Sequence, residues 1–311
     1  MPWLIPAMNV VSFSPPESSQ KRAHENRMFQ TVELGVKVPK KEFKERELVL
    51  RENLLALQHR LQNEGNFPVI IDFAGVRGAG KGTSANLLNK WMDARWILTH
   101  AYDTPTEEES MRPTFWKFWR YMPPKGQIGI HMSGRYSRPL LDYVYGNITQ
   151  SEFKHQLDRI NSFEKALADD GAMVLKFWMH ISKKVQKKRL EKLEKDPMRS
   201  WRMSDLDWKH YEMYDTFVDA AEQIISVTNT GHAPWEIIEG QNYYFRSLRV
   251  GELFQEQLER HLVSEDFRQR YLSEMREKME EKNGEQESEG INHGVTIPVS
   301  YTHLTLPTIT E

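Results

Sequence analysis

Cysteine is absent from all 311 residues, which excludes a disulfide framework and any thiolate metal site. Long apolar runs are missing too, because no window approaches the roughly 18 apolar residues of a membrane helix. The apolar start MPWLIPAMNVV lacks the basic region of a signal peptide. Basic residues do not outnumber acidic ones either, since the formal net charge is -2. We therefore expect a cytoplasmic protein with no membrane or nucleic-acid partner, in which any polyanion meets a local cationic patch.

Three segments of different composition follow one another. Residues 1–27 mix proline, serine and charged residues without a helical or strand period, which predicts a disordered leader. Residues 28–262 carry the periodic apolar patterns of one globular domain. Residues 263–311 begin as a highly charged helical stretch and end in TIPVSYTHLTLPTITE. That ending matches nothing before it and predicts a disordered or foreign tail, with a short β-prone extension as the alternative.

Five short apolar runs alternate with helical patterns between residues 40 and 262. The runs are PVIIDFAG, RWILTHA, QIGIHM, MVLKFWMHI and WEIIEG, and each has the length and composition of a buried strand. Helical spacing of apolar residues covers Lys40 to Glu64 and Gln150 to Asp170. This alternation predicts an α/β fold of three layers, with a parallel five-stranded sheet flanked by helices. The helical stretch from Ser204 to Val227 predicts a lid between the last two strands.

A glycine-rich loop stands between the first predicted strand and a helix. It reads GVRGAGKGT, a pattern in which backbone N–H groups surround phosphate oxygens and a lysine adds a point charge. The alternative is a plain turn, but a lysine under such a loop without an anion is costly. The loop predicts a P-loop fold. Its candidate phosphate-binding residues are Gly75, Gly78, Gly80, Lys81, Gly82 and Thr83.

Further motifs follow this loop in a fixed order. They are FWKFWRYMPPKGQIGI after the second strand, RYSRP after the third, RSWRMSDLDWKHY in the lid and APWEIIEG on the last strand. With the Gly80-Lys81-Gly82 loop, they resemble the polyphosphate kinase 2 family from about Met28 to about Leu262. The likeness is greatest to the first domain of tandem polyphosphate:AMP phosphotransferases in that family.

The resemblance implies transfer of a phosphoryl group between inorganic polyphosphate and a nucleotide, with Mg²⁺ bridging phosphates. It also implies a protein partner, either a homo-oligomer or a second fused domain of the same family. Lys81, Arg138 and Arg202 become candidate catalytic residues. Lys117, Arg120 and Arg199 join the loop as candidate phosphate- or nucleotide-binding residues. For the basic run KKVQKKRLEKLEK, a solvated surface helix is favoured over a guide for polyphosphate.

Two positions depart from the family pattern. Arg77 stands where the family loop has an aspartate, and Met132 stands where an aspartate or asparagine ends the third strand. Because magnesium needs carboxylate oxygens, both changes disfavour a bound Mg²⁺ and leave its ligands unknown. Asp72, Asp103 or Asp142 could substitute, although Asp72 is equally explained by a structural pairing.

Three functions remain open at this stage. The first is an active phosphotransferase, and the second is a catalytically weakened domain that binds polyphosphate or nucleotide and supports an active one. The third is an ATP-dependent small-molecule kinase. Trp116, Trp119, Trp201, Trp208 and Trp235 are interpreted mainly as core or helix-packing residues, with base-stacking platforms as the alternative. The histidines lack the spacing of a zinc site.

Overall fold

The computed structural model describes the backbone of residues 28–290, and the side chains of residues 28–277 apart from Arg202. The predicted leader, the end of the predicted tail and the Arg202 side chain therefore lie outside the described residues. By its contacts the chain divides into two units, the first ending at Leu262 and the second beginning at Val263. The roles assigned to the three segments from sequence stay predictions.

All five predicted strands are present. They are Val69–Gly75 (β1), Ile97–Ala101 (β2), Ile128–Met132 (β3), Met173–His180 (β4) and Trp235–Glu239 (β5). The strands form one parallel sheet in the order β2-β3-β1-β4-β5. The predicted α/β class with a parallel five-stranded sheet is confirmed, and β1 with its glycine loop occupies the centre.

Helices separate the strands. They are Lys40–Glu64 (α1), Lys81–Trp91 (α2), Glu107–Ser110 (α3), Trp116–Arg120 (α4), Ser137–Val144 (α5), Gln150–Asp169 (α6), Lys183–Glu194 (α7), Asp205–Glu212 (α8), Tyr214–Thr228 (α9) and Tyr243–Gly290 (α10). Three short 3-10 helices cover Met28–Val32, Ala94–Trp96 and Ser200–Arg202. Helix α1 has the limits that its apolar spacing predicts. The predicted lid is helical, but it is divided into α8 and α9.

Both faces of the sheet are buried. Leu54 of α1, Leu88 of α2 and Phe254 of α10 pack with Ile71 and Phe177 in one apolar cluster. On the opposite face, α6 and α9 contribute a second cluster that includes the β4 tryptophan. Neighbouring strand residues point to opposite faces, which explains why the strands read as nearly continuous apolar runs.

Loops follow the carboxyl ends of the parallel strands. In open α/β sheets, ligands bind at that edge. The glycine loop follows β1 there, and the candidate cations follow β2, β3 and β4. Within the described residues, no helix combines the length and the apolar character needed to cross a bilayer.

Candidate active site

The phosphate loop, residues 75–83, turns through three glycines with positive φ. Gly75 has a φ of 125°, Gly78 of 84° and Gly80 of 101°, values that residues with a Cβ rarely adopt. At two of these positions an added Cβ would also meet neighbouring atoms. A Cβ on Gly75 would lie 2.1 Å from the carbonyl oxygen of Met179, and one on Gly80 would lie 2.4 Å from the guanidinium carbon of Arg246. Backbone conformation and space both require glycine at position 75, whereas at position 80 the positive φ requires it and the Arg246 side chain only adds to the crowding.

The first turn of α2 provides the donors of an anion site. The helix begins at Lys81, and the N–H of Ser84 donates to the carbonyl of Gly80 at 3.0 Å. The N–H groups of Lys81, Gly82 and Thr83 precede this bond, so they lack partners within the helix. With the positive end of the helix dipole, they form a site suited to phosphate oxygens.

The Lys81 ammonium lies against the beginning of the loop. Its Nζ donates to the carbonyl oxygens of Gly75 at 2.6 Å and Val76 at 3.1 Å. Burial, assisted by the nearby Arg77 cation, lowers the pKa of Lys81 to about 8. The carbonyls satisfy part of the ammonium's hydrogen bonding, but in the described part of the chain no carboxylate forms an ion pair with it. A bound phosphate would supply the missing negative charge.

Arg77 connects the loop to the lid. Its Nε lies 2.7 Å from Oδ1 of Asp207 on α8. Asp207 is buried, and it also accepts the backbone N–H of Ser204 at 3.0 Å. The position that carries an aspartate in the family pattern thus carries a cation that is paired with a lid carboxylate.

The other predicted cations lie outside the loop. The ammonium of Lys117 donates to the carbonyl of Asp103 at 3.3 Å, and the guanidinium of Arg120 lies 5.4 Å from the ring centroid of Trp116. Arg138 pairs with Asp142 at 2.5 Å and Arg199 with Asp196 at 3.6 Å. The Arg138 and Arg199 side chains are mainly exposed, so their ion pairs cost little to break when a polyanion binds. Their predicted roles, and that of Arg202, stay predictions.

The structure contains a buried polar network that the sequence did not predict. Arg135 contacts Asp72 at 2.6 Å and Glu164 at 3.1 Å. Lys176 of β4 contacts Glu164 at 2.7 Å, and the hydroxyl of Tyr136 donates to the same carboxylate at 2.6 Å. Burial raises the pKa of Asp72 to about 6. The available signal was a lone lysine in a strand that is otherwise entirely apolar up to its last residue.

Asp72 therefore takes the structural role that the sequence left open. Asp142 and Asp207 are engaged by arginines as well. Among the described residues, no group of three or more histidines and carboxylates is arranged to hold a metal ion. Asp103, after β2, is exposed and forms no ion pair among the described residues; it accepts the N–H of Thr104. Mg²⁺ is commonly held by one or two carboxylates together with phosphate oxygens, so Asp103 is the candidate carboxylate without an arginine partner, and a magnesium site here stays a prediction.

The histidine and tryptophan interpretations have different outcomes. His131 and His180 are buried inside the domain, and burial lowers the pKa of His131 to about 3, as a structural histidine requires. Trp235 packs in the core, also as predicted. Trp119 is half exposed, but its ring packs edge-on against Phe163 with the centroids 4.9 Å apart, which agrees with the packing interpretation. For Trp201 the packing interpretation is wrong, because 75% of its surface is exposed. Trp201 is held at the surface by a bond from its indole N–H to the carbonyl of Met198.

Comparison with known proteins identifies the family. The family model described as polyphosphate kinase 2 matches residues 37–266, about three quarters of the chain. The chain belongs to the polyphosphate kinase 2 family. A polyphosphate:AMP phosphotransferase of Pseudomonas aeruginosa is 42% identical over 239 residues, which cover 77% of this chain and 48% of that protein. An AMP/ADP-polyphosphate phosphotransferase of Meiothermus ruber is 28% identical, over 68% of this chain and 79% of that protein.

Solved structures of polyphosphate kinase 2 proteins agree with this assignment. One from Pseudomonas aeruginosa aligns with a TM-score of 0.69 and 40% identity, over 76% of this chain and 48% of its own. One from Arthrobacter aurescens aligns with the same TM-score at 26% identity, over 72% and 81%. The chain spans about half the length of the Pseudomonas relatives it matches. Membership in the polyphosphate kinase 2 family, inferred from five motifs, is thereby confirmed.

Proposed function

We propose that this chain transfers a phosphoryl group between inorganic polyphosphate and a nucleotide. The observation that carries the proposal is the phosphate loop at the end of the central strand. Its helix N-terminus and Lys81 together form a site for an anion, and no carboxylate of the described residues forms an ion pair with Lys81. AMP is the proposed nucleotide, because relatives named polyphosphate:AMP phosphotransferase match most of the chain.

In the proposed reaction, an oxygen of the nucleotide phosphate attacks the terminal phosphorus of polyphosphate. The bond from that phosphorus to the rest of the polyphosphate then breaks. Positioning and charge compensation dominate such a reaction. Lys81 and the loop N–H groups hold one phosphate, while Arg138 and Arg202 neutralise the transferred group. Lys117, Arg120 and Arg199 bind the remaining phosphates.

Magnesium supplies charge compensation to phosphates when it is bound. We propose that Mg²⁺ reaches this site only as the counter-ion of polyphosphate and nucleotide. The support for this is that Asp72, Asp142 and Asp207 are each paired with an arginine, which leaves Asp103 as the one described candidate carboxylate without an ion pair. We further propose the cytoplasm as the compartment, because the absence of cysteine suits a reducing environment. A second domain of the same family, or another copy of this chain, is the proposed protein partner.

A second candidate function is supported by the Arg77–Asp207 pair. With a cation in place of a metal-binding carboxylate, the domain would bind polyphosphate or nucleotide and support an active partner domain. An ATP-dependent kinase of small molecules has no such support, since the chain belongs to the polyphosphate kinase 2 family.

The deciding experiment measures phosphoryl transfer from polyphosphate to AMP and ADP with magnesium. The full chain is compared with Lys81→Met and with the double variant Arg77→Asp, Met132→Asp. We expect slow turnover by the unchanged chain, none by Lys81→Met, and faster turnover by the double variant, whose new carboxylate at position 77 would face Asp207. Polyphosphate binding without turnover would favour the second candidate. Absence of both binding and turnover would contradict both functions.

A further inference from the structure

Three consecutive carbonyl groups of the phosphate loop accept hydrogen bonds from side chains distant in sequence. The bonds run from Gln186 to the carbonyl of Arg77, from Arg189 to that of Gly78 and from Arg246 to that of Ala79. Gln186 and Arg189 are three residues apart on α7, so they lie on one face of that helix. Arg246 comes from α10. Side chains of two helices, α7 and α10, therefore bind the carbonyl groups of the loop.

These bonds fix the direction of the loop N–H groups. A trans peptide group is planar, so its N–H points away from its carbonyl. Holding the carbonyl of Arg77 directs the N–H of Gly78 away from Gln186 on α7, and holding that of Ala79 directs the N–H of Gly80 away from Arg246 on α10. Neither N–H has a protein acceptor among the described residues, whereas the N–H of Ala79 between them donates to Val76 at 3.1 Å. Two donors are thus left for a ligand.

Among the described residues, Arg189 and Arg246 carry positive charges that no carboxylate balances. Arg189 and Arg246 both donate to the carbonyl oxygen of Gly240, at 2.9 Å and 2.8 Å. In the part of the chain that the structure describes, neither forms an ion pair with a carboxylate. Burial, together with the adjacent Arg189, lowers the pKa of Arg246 to about 10. Two partly desolvated cations that share one carbonyl are costly for a purely structural contact, and a bound polyanion would offset that cost.

We propose that Gln186, Arg189 and Arg246 are positioning residues of the phosphate loop, which hold the N–H groups of Gly78 and Gly80 ready for a polyphosphate or nucleotide phosphate. The inference rests on the proposed function of the loop. The three side chains act through the peptide groups that they bind, and no direct contact with the substrate is required.

The test uses variants of the full chain that separate geometry from charge. Gln186→Leu removes one carbonyl contact without changing net charge. Arg246→Lys keeps the charge but has a shorter side chain, which withdraws the nitrogen that takes the place of Nη1, the donor to both Ala79 and Gly240. Arg249→Met, on an exposed position of the same helix, removes a charge without touching the loop and is the matched control. Dissociation constants for sodium polyphosphate are measured below the melting temperature of each variant.

If these side chains position the loop, Gln186→Leu and Arg246→Lys should each weaken polyphosphate binding about tenfold. That factor corresponds to the loss of roughly one charge-assisted hydrogen bond from a loop N–H to a phosphate oxygen. Arg249→Met should stay within about twofold of the unchanged chain, because an exposed charge contributes little. Unchanged affinity in both loop variants, with or without a lower melting temperature, would overturn the proposal and leave the contacts structural.

Hydrogen exchange of the loop amides separates this inference from the proposed function. In the unliganded chain, Gln186→Leu should speed exchange of the hydrogen-bonded amides of Val76 and Ala79 relative to Arg249→Met, since the loop is held less firmly. If the unchanged chain binds no polyphosphate, the proposed function fails. Faster exchange would then still support the loop contacts, and equal exchange in both variants would contradict them.

Discussion

Lys81 has a buried ammonium whose hydrogen-bond partners are neutral carbonyl groups. Its lowered pKa of about 8 means that the folded protein releases this proton more readily than an ordinary lysine does. The ammonium is charged below pH 8 and loses its charge as the pH rises through that value. A bound phosphate adds negative charge beside it and raises the pKa again. Phosphate binding should therefore take up protons at slightly alkaline pH.

The resulting prediction concerns the pH dependence of polyphosphate binding. Between pH 7 and pH 9.5 we expect the affinity of the unchanged chain to fall about tenfold, since one charged hydrogen bond contributes about 1.5–3 kcal/mol. Lys81→Arg, which remains charged throughout, should give a flatter profile. Calorimetric titrations in buffers with different ionisation enthalpies measure both affinity and proton uptake. A profile of the unchanged chain as flat as that of the variant would contradict the role of Lys81.

The phosphate loop and helix α8 are joined through one ion pair. Arg77 is about half exposed and Asp207 is nearly buried, so the pair contributes little to stability but determines where the Arg77 charge resides. While Asp207 holds it, Arg77 is not available to phosphate. A polyanion that binds at the loop competes with the lid carboxylate for the same guanidinium.

Asp207→Asn should remove the ion pair between Arg77 and the lid and strengthen polyphosphate binding a few-fold. The asparagine amide oxygen still accepts the Ser204 N–H, which keeps the start of α8 intact. Asp205→Asn, an exposed neighbour in the same helical turn, removes an equal charge without touching Arg77 and is the control. Binding is measured by titration, and hydrogen exchange of residues 200–212 reports on the lid. Equal affinities for the two variants would show that the pair does not restrain Arg77.

At the scale of the whole molecule, one buried network connects the central sheet to the helices on one face. Glu164 of α6 lies between two cations, Arg135 and Lys176, and accepts from the hydroxyl of Tyr136. With Asp72, the two negative charges balance the two positive ones. Such a cluster adds little net stability when complete, but the loss of one member leaves a buried charge unpaired.

Glu164→Ala should accordingly lower the free energy of unfolding by about 3–5 kcal/mol. Asp158→Ala, an exposed position on the same helix, should change it by less than about 0.5 kcal/mol. Chemical denaturation followed by circular dichroism measures both values. A small effect of Glu164→Ala would mean that the neighbouring cations are solvated after all.

Local patterns were sufficient for several features. The five strands, the limits of α1 and the glycine loop follow from periodicity and from the φ values that only glycine adopts freely. Arg246 and Ala79 are 167 residues apart in the sequence, and Gln186 and Arg77 are 109 apart. No local pattern predicts contacts between residues so far apart along the chain. The exposure of Trp201 was also mispredicted, because an indole bond to the carbonyl of Met198, three residues earlier, holds the ring at the surface.

The sequence by itself determined the family, the order of strands and helices, and the place of the phosphate loop, because these depend on short-range spacing and backbone sterics. The tertiary structure decided which charges meet. It paired Arg77 with a lid carboxylate and Asp72 with Arg135, and it turned the inner face of the basic helix α7 against the loop. Charge pairing depends on which side chains the fold brings within a few ångströms, and burial then sets how strongly they interact.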